Sequence, residues 1–330
     1  IMRVAIIGTG AIAPLHIRAI TNCKQQIVAL CDVDCKKAEN LNGQFGLNAK
    51  IYTDYKEMLN AEEIDAVHIC TPHYLHAEMI CEALKRNIHT LCEKPLAISF
   101  EQLDRIEEAV KNSSATLGVN LQNRYNKSVL YVKEFFEGKK IKSAEAHLVW
   151  ERNADYYAQG EWRGKWATEG GGVMINQALH HLDVLQFICG MPVKVTASVG
   201  NYSLRNVVEV EDTAFGLFTL PDGGNFIVHA TNAAKHCFPI GVMFNGGKDT
   251  AEISADNIIV NGKFLTKSNG LPVFGKEEWG TGHQNLITDF YDCLQSGKKF
   301  GVDFYEGSKV VRLVLSMYRS HGNEIRIQDR

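Results

Sequence analysis

The chain lacks any apolar run approaching the roughly 20 residues that a membrane-spanning helix needs, and no charged-then-apolar leader is expected at its start. It also lacks a strong charge of either sign. The net charge is -3 over 330 residues, which argues against a nucleic-acid or anionic-membrane partner. No Cys-x-x-Cys occurs among the nine cysteines, and their number is odd. Cys31, Cys70 and Cys92 sit inside apolar runs. This usage points away from a disulfide framework or a zinc site, and towards small buried hydrophobes in a reducing cytoplasm. No internal repeat, low-complexity tract or flexible linker stands out. Ile1 stands before Met2 and is set aside as a remnant.

What is present is ordinary for a globular protein: 45% hydrophobic and 22% charged residues, in a length that suits two domains. The first is read over residues 1–121 and the second over 122–330. Arg3 to Ile7 is a short apolar strand followed by Gly8-Thr9-Gly10-Ala11-Ile12-Ala13 and a helix to about Ile20. This is the dinucleotide fingerprint with alanine at its third small position. Gly8 permits the tight turn, Gly10 lets a pyrophosphate approach the backbone, and the helix start offers amide donors to phosphate. A second strand, Gln26 to Cys31, ends at Asp32, where an acid binds the adenosine ribose hydroxyls and repels a 2'-phosphate. NAD is therefore favoured over NADP, although Asp32 also reads as a helix cap.

Strand and helix then alternate to a last strand at Ala115–Asn120, which predicts a mostly parallel Rossmann sheet covered on both faces. Thr71, Pro72, His73 and His76 lie on a strand-to-helix turn, where they could line a cofactor. His76 reads equally as a helix-surface residue. The strand Ile88–Cys92 ends at Glu93-Lys94-Pro95, which places a lysine at the carboxyl edge, where ligands of such sheets gather.

With the Gly8 loop, Asp32, Thr71-Pro72 and Glu93-Lys94-Pro95 in this order, the chain resembles the Gfo/Idh/MocA oxidoreductases. The resemblance implies that Lys94 contacts the reacting hydroxyl and that Glu93 and Pro95 fix its position, often with a cis bond before the proline. A second mark is Gly170-Gly171-Gly172 opening a helix to about Ile188, with Asn176, His180 and Asp183 at i, i+4 and i+7 on one face. It matches the family's acid-x-x-x-His-x-x-Asp pattern with asparagine in the acid's place. Trp162-Arg163 resembles the family's segment that approaches the cofactor, and the likeness extends through Gly280–Gly282-His283 to the closing helices. Trp166 to Gly172 with Asn176-Gln177 looks closest to members acting on nucleotide-linked sugar acids at C3. Closely similar forms occur in members acting on free sugars and glycosides.

The chemistry such residues allow is hydride transfer between NAD and a secondary hydroxyl or keto group of a sugar, polyol or sugar derivative. His180 is the candidate base because imidazole titrates near neutrality. Lys94 is the candidate donor to the developing oxygen charge. Asn176 can hold a hydrogen bond but cannot relay a proton, and Asp183 is expected to reach the substrate, orient His180 or sit on the helix face. Gln122, Arg124 and His283 are further candidates for contacting cofactor or substrate; His283 reads equally as capping a turn. No metal site is expected. Two other readings stay open: a glycoside hydrolase or lyase that passes through a transient 3-keto sugar, and a non-enzymatic dinucleotide sensor.

The second domain reads as α+β with a large, open, mostly antiparallel sheet, one of whose shorter strands is expected over Ile258–Leu265. In Thr213–Leu220, Phe215 and Leu217 alternate with Ala214, Gly216 and Phe218, so both faces are apolar. One face should carry helices and the other a subunit interface, giving a homodimer or homotetramer.

Overall fold

A computed structural model describes residues 1–254, 257–266 and 280–328. It divides into two compact units: residues 1–122 with 282–308, and residues 123–281 with 309–330. Trp279, read with Gly280 to Gln284 as one segment, lies outside the described residues.

The first unit runs β1 (Arg3–Ile7), α1 (Ala13–Asn22), β2 (Gln26–Cys31), α2 (Cys35–Phe45), β3 (Lys50–Tyr52), α3 (Tyr55–Ala61), β4 (Ala66–Ile69), α4 (His76–Lys85), β5 (His89–Cys92), α5 (Phe100–Lys111) and β6 (Leu117–Val119). All pairings are parallel in the order β3-β2-β1-β4-β5-β6. This is the doubly wound dinucleotide-binding order. Its centre is dry: β4 is buried along its whole length, as a sheet covered on both faces requires. The helix starts are written in the sequence. Asp34, Asp54 and Ser99 each accept from a first-turn amide, and Gly46 closes α2 in the left-handed region at φ 60°.

The second unit contains α6 (Lys127–Phe135), β7 (Ser143–Val149), α7 (Ala154–Tyr157), α8 (Val173–Asn176), α9 (Leu179–Cys189), β8 (Lys194–Gly200), β9 (Thr213–Thr219), β10 (Asn225–Thr231), β11 (Gly241–Asn245), β12 (Thr250–Ser254), β13 (Asn257–Val260) and β14 (Lys263–Thr266). The chain continues through α10 (Gly282–Ser296) and α11 (Phe304–Ser320) to β15 (Ile325–Arg326). The nine strands lie in the order β14-β13-β12-β11-β7-β10-β9-β8-β15, antiparallel except where β7 meets β10. No described helix is long and apolar enough to cross a membrane.

Three expectations need correction. The second domain, read as 122–330, gives up Gly282–Ser308 to the first unit. There Val119 N donates to Val302 O at 2.9 Å, and Gly118 passes so close to Phe300 and Phe290 that a Cβ would sit 2.9 Å from the first ring. The strand read over Ile258–Leu265 is a hairpin, β13–β14. Asn261 and Gly262, at φ 50° and 75°, form its two-residue turn. The triple-glycine helix is two helices. The Ala178 amide reaches back five residues to Val173 O at 2.8 Å, so Asn176 and His180 belong to different helices rather than one continuous face.

Candidate active site

In the first unit the expected residues gather at the carboxyl ends of the parallel strands. Gly8 turns out of β1 at φ 91°, and a Cβ there would lie 2.5 Å from Cys70 O, so only glycine fits. At Gly10 a Cβ would meet nothing within 4 Å, which leaves the loop open on that side. Ala13 is fully buried where α1 packs, and Ile12, just ahead of α1, gives the helix no side-chain cap. These are the features a dinucleotide's pyrophosphate requires: an open glycine cradle leading to uncapped helix amides. Asp32 Oδ2 accepts from the Thr9 amide at 2.7 Å and the Thr9 hydroxyl at 2.8 Å, while Oδ1 accepts from the Asp34 amide at 3.0 Å. The carboxylate thus ties the glycine loop to β2 and keeps lone pairs for a ribose. The cap of α2 is Asp34, not Asp32.

Around the lysine, the Lys94-Pro95 bond is cis. Glu93 is buried, and its Oε1 accepts from His16 Nε2 at 2.8 Å and from Asn120 Nδ2, with His283 Nε2 at 3.9 Å. Glu93 Oε2 accepts from the Lys94 amide at 3.2 Å. Burial opposes ionisation of Glu93, but His16, His283 and Asn120 outweigh it and hold its carboxyl well below the usual range. His76, expected to line the cofactor, is fully buried. Its Nδ1 lies 2.7 Å from Pro95 O and its Nε2 2.8 Å from Thr71 O, so it braces two turns against each other. His73 is buried beside it, with ring centroids 6.0 Å apart. Thr71 and Pro72 stand at the same edge, half-buried, and Gln122 is buried just past β6. His283, read as a sugar contact, lies in this unit over Glu93. Burial pushes it down to about 4, so it is a neutral ring at neutral pH.

The second unit shows why three glycines stand in a row. A Cβ on Gly171 would fall 2.0 Å from the Tyr318 hydroxyl, and one on Gly172 would fall 1.9 Å from Glu211 O. The Glu211 carboxylate caps the start of α8, accepting from the amides of Gly172 at 2.8 Å and Met174 at 3.0 Å and from Tyr318 at 2.8 Å. Asn176 donates to the buried carboxylate of Glu169, which also accepts from the Gly164 amide at 2.5 Å. The acid missing at position 176 thus reaches that side chain from position 169. Sequence reasoning missed Glu169 and Glu211 as site-building groups. The signal available was an acid immediately before the glycine run.

His180 is buried on α9. Asp183 and Arg124, both expected near substrate, engage each other: Arg124 Nε donates to Oδ2 at 2.8 Å and Nη2 to Oδ1 at 2.7 Å, with both side chains buried. The pair anchors α9. Arg163 lies over the rings of Trp162 and Tyr156, at 4.5 and 4.7 Å from their centroids. Its Nη1 donates to the Tyr156 hydroxyl at 2.7 Å, which Gln177 Nε2 also reaches at 3.0 Å.

Comparison with known proteins now decides the family. A family model described as "Oxidoreductase family, NAD-binding Rossmann fold" matches residues 2–121, and one described as "GFO/IDH/MocA C-terminal domain" matches 139–252. The chain belongs to the Gfo/Idh/MocA oxidoreductases. It is an NAD-dependent oxidoreductase acting on CH–OH groups. It is 23% identical to an inositol 2-dehydrogenase of Salmonella typhimurium over 90% of this chain and 87% of that one. It is 25% identical to the D-glucoside 3-dehydrogenase of Escherichia coli over 99% and 97%. The structure of the WlbA dehydrogenase from Bordetella pertussis, in complex with NADH and UDP-GlcNAcA, aligns over 99% of both chains at 25% identity with a TM-score of 0.87.

Proposed function

We propose that this oxidoreductase moves a hydride between NAD and a secondary carbon of a sugar or polyol, with Lys94 and His180 handling the oxygen and its proton. In the oxidising direction bound NAD would supply the two-electron acceptor for the hydride released when the C–H bond breaks. The O–H proton passes to His180, and the carbon is left as a ketone. Lys94 donates a hydrogen bond to the oxygen as charge builds on it. Glu93 and Pro95 position Lys94, and Glu169 fixes Asn176 as a hydrogen-bonding partner for substrate. Gly8, Thr9, Gly10, Ala11 and Ile12 cradle the pyrophosphate, Asp32 takes the ribose, and Thr71 to His73, Gln122, Trp162 and Arg163 contact the cofactor.

The observation that carries this reading is the turn after β5, where an ionised, buried Glu93 accepts from the backbone of Lys94 itself. The named relatives act on an inositol or a glucoside, or bind a nucleotide-linked sugar acid, so ring polyols with free secondary hydroxyls are the substrate class. Phe215 and Leu217 stand 46% and 38% exposed beside Ile227 and His229 on the open face of the sheet, which supports pairing of two copies through that face. Screening inositols, glycosides and nucleotide sugars for NAD reduction, with Lys94→Ala as control, tests the reading. A substrate whose turnover survives that substitution would sink it.

A further inference from the structure

The first unit holds a string of buried titratable side chains that hydride transfer does not itself use. His16, on α1, is fully buried, with Nε2 2.8 Å from Glu93 Oε1 and Nδ1 2.7 Å from Nδ1 of His68. His68 stands fully buried in the middle of β4, and its Nε2 meets the Tyr291 hydroxyl of α10 at 2.9 Å. The Tyr291 ring stacks on His68 at 5.8 Å between centroids. Three hydrogen bonds in series therefore run from Tyr291 to Glu93, and Glu93 Oε2 accepts from the Lys94 amide. Positions this deep in a parallel sheet normally hold aliphatic residues, because a buried polar ring is costly unless every nitrogen is satisfied.

Counting hydrogens restricts what the string can be. An ionised carboxylate only accepts, so His16 Nε2 carries a hydrogen. The contact between the two Nδ1 atoms holds one more, on one ring or the other. If His16 carries it, His16 is an imidazolium, and neutral His68 donates from Nε2 to the Tyr291 oxygen. If His68 carries it, both rings are neutral and Tyr291 donates to His68. Every contact is made in both arrangements, and the first holds one extra proton. The groups that face His16 choose between them: the Glu93 carboxylate, the Cys70 thiol with Cys92 behind it, neutral His283, and Lys94 further out. Burial opposes charge on His16, and the Glu93 carboxylate 2.8 Å from its Nε2 favours it; Cys70 adds to that only as a thiolate, a form its own burial disfavours. Burial and the neighbouring His16 hold His68 well below its ordinary range. Among the described residues no group of three His, Cys, Asp or Glu side chains is arranged to hold a metal ion.

We propose that His16 and His68, backed by Tyr291, are positioning residues for Lys94: the paired imidazoles store one proton against Glu93 and so keep the Glu93-Lys94 turn charged and hydrogen-bonded. This rests on the reading of Lys94 given above. It adds that the turn's geometry depends on a proton held beneath it rather than on packing alone.

The test joins a spectroscopic and a kinetic measurement. In the wild-type protein, nitrogen NMR at pH 8 should show both ring nitrogens of His16 protonated and His68 neutral with its hydrogen on Nε2. His16→Asn keeps a donor toward Glu93 but cannot carry the charge. It should lower kcat about 10- to 100-fold, change the pH profile of kcat, and leave the Kd for NADH within about twofold. A neutral His16 at pH 8 would overturn the inference, as would a His16→Asn variant with the wild-type rate and profile. So would equal losses in NADH affinity and turnover, which mark a purely structural role. Lys94→Ala is measured alongside. If it is inactive while His16→Asn runs at full rate, this inference alone falls; if it runs at full rate, the role given to Lys94 falls first and takes this inference with it.

Discussion

Arg124 and Asp183 meet fork to fork, with two parallel hydrogen bonds of 2.8 and 2.7 Å in a buried site, and Arg124 Nη2 also donates to Gln186 at 3.1 Å. The guanidinium lies 4.7 Å from the centroid of the Phe187 ring. The arginine is thus held by Asp183, Gln186 and Phe187, which span little more than one turn of α9, the helix that carries His180. Replacing Arg124 with Met leaves Asp183 buried without its charge partner, which costs about 3–5 kcal/mol. Urea unfolding of Arg124→Met against wild type measures it; a change under 1 kcal/mol would remove the pair from the account of α9.

Two glycines of one loop should behave oppositely. Gly8→Ala drives a Cβ into Cys70 O from a left-handed backbone, so it should destabilise the first unit by about 2 kcal/mol or more. Gly10→Ala meets open space and should leave the melting temperature nearly unchanged while weakening NADH binding at least about tenfold, because the added methyl stands where the pyrophosphate approaches. Thermal melts and NADH titrations of the two variants check this, and equal effects on folding would contradict it.

The role proposed for Asp32 is to set the cofactor preference through like-charge repulsion of a 2'-phosphate. Asp32→Ser should narrow the preference for NAD over NADP by at least about tenfold in kcat/KM, at some loss in NAD binding because Thr9 loses its acceptor. An unchanged ratio would show that the acid does not face the ribose.

Glu211 carries a pH dependence with a definite sign. Burial raises its carboxyl to about 7, against the pull of the Met174, Tyr318 and Gly172 donors. The folded state then binds the proton more tightly than the unfolded chain does, so stability falls as pH rises from the ordinary carboxylate range through 7. The loss is on the order of 3 kcal/mol for a shift of this size. Denaturant unfolding between pH 5 and 8 should show this decline in wild type and a flatter curve in Glu211→Gln.

The first unit was legible because its signals are local. The apolar strands and the Gly8 loop each act within a few residues, whereas the cap of α2, read at Asp32, falls two residues on at Asp34. What escaped was set by distance in the chain. The return of Gly282–Ser308 depends on Gly118 admitting Phe300, 182 residues later by sequence number, and no periodicity announces that. The pairing of Arg124 with Asp183 and the reach of Glu169 to Asn176 likewise join groups that read singly as substrate ligands or as nothing. The Asn261-Gly262 turn was the exception: its signal was present, but the flanking apolar residues read as one strand.

The joint action of Lys94 and His180 is tested most directly by a double-mutant cycle on turnover. Lys94→Ala and His180→Ala should each lower kcat by about 10²–10⁴-fold with the Kd for NADH within a few-fold of wild type. If the two share one proton transfer, the double variant should be little worse than the slower single one. Losses that multiply, or a single variant with wild-type turnover, would contradict the account.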